Sequence, residues 1–160
     1  MIHNGFKNMM AALWQDLGLG DLLWSDQGAA LLHLEDLTVE LTLSEDGGYV
    51  LVSAHIAPLS EEPSRRREEL NALLKFSLPS LMASRAAICF EDREGTTFAV
   101  ARALCPCEIG LIHYLSEMIM DVVFVRNESL RVLTQDKQLR TPSRDRAILA
   151  SSEGSLIFTP

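Results

Sequence analysis

The sequence predicts an α+β domain: a twisted antiparallel sheet of about five strands with three helices packed on one side, in the order α-βββ-α-ββ-α. Three observations carry this. Apolar residues recur at helical spacing near the start, middle and end of the chain. Strict alternation of apolar and polar residues marks two groups of strands between those helices. Short turns join the strands within each group, which favours antiparallel pairing over a parallel sheet.

The first helix is expected at about residues 4–17. Phe6, Met9, Met10, Leu13, Trp14 and Leu17 form one stripe of an amphipathic helix, and Gly18 and Gly20 supply a stop. Ala29 to Leu34 reads as a strand, followed by a tight Glu35-Asp36 turn. Leu37, Val39, Leu41 and Leu43 then alternate with Thr38, Glu40 and Thr42, so this strand has one buried and one polar face. Ser44 to Gly48 reads as a hairpin turn, with glycines available for positive φ, and Tyr49 to Ile56 as the partner strand. These three strands form a meander.

Pro58 to Pro63 reads as a linker and Ser64 as the cap of a second helix bearing Leu70, Leu73, Leu74 and Leu78 on one face. Pro79 disfavours helical geometry at the residue before it, so this helix is expected to stop near Phe76 to Leu78, with 79–85 irregular. Ala86 to Phe90 and Thr97 to Leu104 are the last two strands, around a charged turn from Glu91 to Gly95 that reads as solvated. A third helix is expected from near Pro106 to about residue 130, with Glu108, Leu111, Ile112, Leu115, Met118, Ile119, Val122 and Val123 in its stripe. Residues 1–132 are thus the domain, and 133–160 a flexible tail.

Composition narrows function. The chain has 160 residues, 48% hydrophobic and 22% charged, with a net charge of −8. That size fits one domain able to bury its own core. Residues 133–160 carry +1, so the first 132 carry −9. A nucleic-acid partner needs a basic face, which this balance argues against. No apolar run approaches the roughly 18 residues of a membrane span, and the start of the chain lacks signal-peptide features. Three cysteines, an odd number, fit reduced thiols. The expectation is a soluble, cytoplasmic protein.

The chain contains no dinucleotide or phosphate loop, zinc-protease helix or nucleophile elbow. Cys105-Pro106-Cys107 invites a redox or metal reading, since thiols before a helix start can have a lowered pKa. But the spacing is not C-x-x-C and there is no second cysteine pair. His113 and Glu117 share a helix face, as an acid/base pair or as an ordinary surface pair. His33 and His55 lie in strands that could bring them face to face across the sheet. Arg65-Arg66-Arg67 is flanked by Glu61, Glu62, Glu68 and Glu69, which cancel its field. Met9, Met10, Met118 and Met120 suit a core or an adaptable binding surface. No catalytic residue, metal ligand or cofactor is assigned.

The order of elements resembles the class I type III secretion chaperones, the Tir chaperone family, over about residues 4–130. The segments that carry it are the stripe from Phe6 to Trp14, the meander from Leu37 to Leu43 and Tyr49 to Ala54 around Glu45-Asp46-Gly47-Gly48, the linker Ile56 to Leu59, and the helix from Glu69 to Phe76. Two features depart from the family: Ser77-Leu78-Pro79-Ser80-Leu81 stands where members often have glycines, and the tail is long.

The resemblance implies a bacterial cytoplasmic homodimer, not an enzyme. It would bind a non-globular stretch near the N-terminus of secreted effectors, keep it soluble and present it to the secretion apparatus, the secretion ATPase included. The partner-binding residues it points to are Met10, Trp14 and Leu17 on the first helix and Leu32, Leu34 and Leu51 in the meander. For the dimer contact it points to Leu70, Leu74 and Phe98. The competing readings are a regulatory module of the same fold that binds a folded protein, and a small thiol or metal enzyme using Cys105, Cys107 and His113.

Overall fold

The computed structural model describes residues 4–107 and 111–140. The elements are α1 (Asn4–Asp16), β1 (Leu23–Trp24), β2 (Ala30–Leu34), β3 (Leu37–Leu43), β4 (Tyr49–Pro58), α2 (Pro63–Ala83), β5 (Ala87–Arg93), β6 (Thr96–Pro106) and α3 (Leu111–Arg140). The strands form one antiparallel sheet in the order β1-β2-β3-β4-β6-β5. The α+β class and the order of elements are as expected, with six strands where the sequence suggested about five.

Alternation along each strand decides which face is buried. In register across the sheet, Leu32 meets Val39, Leu41 meets Val52, and Val50 meets Cys105. These side chains are all buried and form the core with α1, α3 and Leu73 of α2. α3 lies along β4 and β6, α2 packs against α3 and β5, and α1 touches α3. Each fully buried Leu, Val or Met contributes about 1.5–3 kcal/mol relative to exposure.

α1 ends where glycine permits it. Gly18 adopts φ +62°, its N–H donates to the Gln15 carbonyl at 3.2 Å, and the Leu19 N–H donates to the Trp14 carbonyl at 2.9 Å. This pairing satisfies carbonyls that the helix end would otherwise leave open. The β5–β6 turn is shorter than expected. Only Glu94 and Gly95 lie between the strands, both at positive φ (51° and 83°), as a tight two-residue hairpin requires. Glu91 is therefore a strand residue and not part of a solvated turn. Its carboxylate pairs with Arg102 and Arg93.

Four helix boundaries differ from the sequence reading, both ends of α2 and both ends of α3. α2 starts at Pro63, whose missing N–H costs nothing at a first-turn position. Ser64 does not cap it; its hydroxyl donates to Glu62 Oε1. The start is held by buried Glu69, whose Oε2 accepts the Ser60 N–H at 2.7 Å, and by Arg66, which donates to the Ser60 carbonyl. α2 also runs through Pro79 to Ala83 instead of stopping before it. Pro79 has no N–H for the Lys75 carbonyl, but both residues are exposed, so water reaches that carbonyl. Ser84 then closes the helix, its N–H and Oγ both donating to the Ser80 carbonyl. α3, finally, begins at Leu111, because Pro106 ends β6 opposite Tyr49. It continues to Arg140, ten residues past the expected end, because Ser129 and Leu133 extend its buried stripe. Eight residues assigned to the tail are thus helical. Residues 141–160, and Glu108 of the expected stripe, lie outside the described residues.

Candidate functional site

Functional readings of this chain concern surfaces, so the burial of each predicted residue decides what it can meet. On α1, Met10 and Trp14 are buried, because they share the inward stripe with Phe6 and Leu13. Phe6 also stacks edge-to-face on Trp24 at 5.8 Å. Leu32 of β2 is buried as well. These three predicted partner-binding residues line the core of the single chain. Leu17, one turn beyond them, is 40% exposed. Leu34 and Leu51 are half-buried. Leu51 points away from the core, where its cross-strand neighbours are Thr42 and the largely exposed Leu104.

The predicted dimer residues fall differently. Leu70 is half-buried against the core, Phe98 is half-buried and stacks edge-to-face on His55, and Leu74 is exposed. Leu74 belongs to a larger surface. Leu78 is 72% exposed, Leu81 52% and Met82 92%. On α3, Met120 and Phe124 are also exposed. α2 and α3 pack on each other, and Leu81, Met82 and Met120 line one open depression where they meet, so apolar side chains of both helices stand in water there. Leu81 and Met82 lie beyond Pro79, where the sequence predicts that α2 has already ended. The signal that could have found them is the continuation of the Leu74-Leu78 spacing to Leu81 and Met82.

The thiols do not form a reactive pair. Cys105 is fully buried, and burial pushes its thiol up to about 11, opposite to the lowered value that would make a nucleophile. Burial raises Cys107 as well. Among the described residues, no group of three or more His, Cys, Asp and Glu could hold a metal ion. His113 lies 3.3 Å from Glu117, but Glu117 is engaged by Arg85 at 2.7 Å, which holds its carboxyl below the usual range. Arg85 also sits over the Tyr114 ring, and its N–H donates to Asp121. This cluster ties the end of α2 to α3. His33 and His55 do not face each other, since β3 lies between their strands and His33 bonds Thr38. In the arginine run, Arg65 lies by Glu69 and Arg66 binds backbone.

A six-stranded antiparallel sheet with its core under α1 and α3, and an apolar helical face left in water, defines a protein that acts by binding. The model of the Tir chaperone protein (CesT) family matches residues 8–103, and the chain belongs to that family. It is a type III secretion chaperone that binds effectors, and chaperones of this family are not enzymes. A chain in the structure of the HopA1–SchA chaperone–effector complex has the same fold. Its TM-score is 0.58 at 15% identity, over 79% of this chain and 93% of that one. No curated protein matches the chain by sequence.

Proposed function

We propose that this protein is a bacterial cytoplasmic homodimer that captures the non-globular N-terminal region of one or more secreted effectors. It keeps that region soluble and delivers it to the secretion apparatus, with the secretion ATPase as a further partner. The observation that carries the reading is the family match, which runs from within α1 through the meander, α2 and β5 into β6. The exposed row Leu74, Leu78, Leu81 and Met82 supports the homodimer, and Leu70 and Phe98, both half-buried, are proposed to join it. A helix of 21 residues is about 30 Å long, enough for one side of a stable interface.

Effector contact is proposed around α1 and the meander, through Leu17, Leu34 and Leu51, with Met10, Trp14 and Leu32 shaping the surface from beneath. Several apolar anchors, at about 1.5–3 kcal/mol each when fully buried, exceed the ~2–5 kcal/mol that ordering a disordered client costs. Residues 141–160 are proposed to be dispensable for capture.

The test is co-purification from the host under secretion-inducing conditions, followed by limited proteolysis. One protected stretch near the N-terminus of a secreted protein is the expected result. A folded regulator as the sole partner would overturn the reading.

A further inference from the structure

A cleft of about 730 Å³ opens at one end of the sheet, between the start of α1, the β1–β2 turn and the β3–β4 turn. Its apolar lining comes from Phe6, Met9 and Leu43, and its acidic lining from Asp26, Glu45 and Asp46. Among the described residues that line it, none is a lysine or arginine. The cleft is therefore greasy within and of one charge sign at its rim.

The rim is built firmly. The Ser44 hydroxyl donates to Asp46 Oδ1 at 2.6 Å and the Gly48 N–H donates to the same oxygen at 3.0 Å. Those bonds hold the Asp46 carboxyl below the usual carboxylate range, so it is ionised at any physiological pH. Gly47, at φ +71°, lets the turn close with its N–H on the Ser44 carbonyl. Across the cleft, the Gly28 N–H donates to the Ser25 carbonyl and the Ala29 N–H to Ser25 Oγ, which fixes the turn carrying Asp26. Among the described residues Asp26 and Glu45 have no side-chain hydrogen-bond partner, and both are exposed at the rim.

We infer that this cleft seats one apolar side chain of an extended client segment while its rim pairs with lysine or arginine on either side. It is a reader of basic–apolar sequence. The inference rests on the chaperone reading above and adds a rule for which stretch of a client is gripped. Charge complementarity selects the occupant: an acidic client would meet three carboxylates with no cation among the described lining residues to offset them.

Cys107 also lines the cleft and reports on it. The probe is a synthetic peptide of alternating leucine and lysine, compared with leucine–glutamate and leucine–glutamine versions, on the full-length protein. Binding is read by fluorescence anisotropy, and alkylation of Cys107 by mass spectrometry. The lysine peptide is expected to bind about tenfold tighter than the glutamine peptide at low salt, with the advantage lost near 1 M salt. It is also expected to slow Cys107 alkylation. Asp26→Asn with Glu45→Gln, which touches neither turn's hydrogen bonds, should cut the advantage to about twofold or less.

Equal binding of the lysine and glutamate peptides would overturn the inference. So would a lysine preference that survives the double substitution or leaves Cys107 unshielded. The protease-protected effector stretch separates the two readings. If it is captured equally by wild type and double variant, the cleft inference falls and the chaperone reading stands. If no effector is captured while the peptide results hold, the chaperone reading falls and takes the client with it.

Discussion

α1 and α2 look alike in the sequence and behave oppositely in the structure. Both carry apolar residues at helical spacing. α1 spends its stripe on the core, with Phe6, Met10, Leu13 and Trp14 buried. α2 buries only Glu69, Leu73 and Ser80 and turns Leu74, Leu78, Leu81 and Met82 to water. Periodicity says which residues share a face; it does not say what that face meets. In a chaperone, the unburied face is the one available to another chain.

Substitutions sharpen the contrast. Trp14→Ala should cost about 3–5 kcal/mol in urea unfolding, because it empties a core position; a loss below about 1 kcal/mol would mean that α1 is not part of the core. Glu69→Ala should cost about 1–3 kcal/mol, since it leaves the part-buried Ser60 N–H without its acceptor and removes the polar anchor of α2.

A pH-linked effect comes next. Cys105 is raised from 9.0 to about 11 in the folded chain. Below about pH 9 both states keep the proton and the stabilisation is complete. As pH rises towards 11, the unfolded chain loses its proton first and stability falls. Cys105→Ala should reduce that alkaline slope and leave the part due to Cys107, measured against wild type by denaturant titration.

Leu78→Asp should change folding free energy least, by no more than about 0.5 kcal/mol when both proteins are monomeric. It should nonetheless shift sedimentation from dimer to monomer. A dimer that persists would place the self-association surface away from α2.

What the sequence disclosed, and what it hid, follows from how local each signal is. The meander was legible because Leu37 to Leu43 alternates without a break and glycines mark the next turn. α1 was legible because its stop, Gly18, acts within its own last turn. β1 was not, since two residues have no period. Leu23 and Trp24 form a strand only because Leu31 and Ala30 pair with them. Pro79 misled because a proline's cost depends on whether the carbonyl it leaves unpaired is buried, and here it is in water. The end of α3 was missed because a buried serine, Ser129, interrupts the apolar stripe. Among the candidate site residues, Met10, Trp14 and Leu32 are of types that suit a core or a groove equally well. Only the packed chain separates them from Leu17.

The place of α3 at the end of the domain has a consequence for synthesis. β2, β3 and β4 are complete once Pro58 has been made, yet α3 covers the face of β4 only when residues up to Leu133 have followed. At ~5–20 residues per second, that is roughly 4–15 s of translation. During that time Val50, Val52 and Ile56 of β4 lack the cover that α3 gives this strand in the finished fold. A nascent chain of this protein therefore meets the hazard from which the proposed function would shield its clients, an apolar segment waiting for cover, and the rate at which α3 emerges sets how long that exposure lasts.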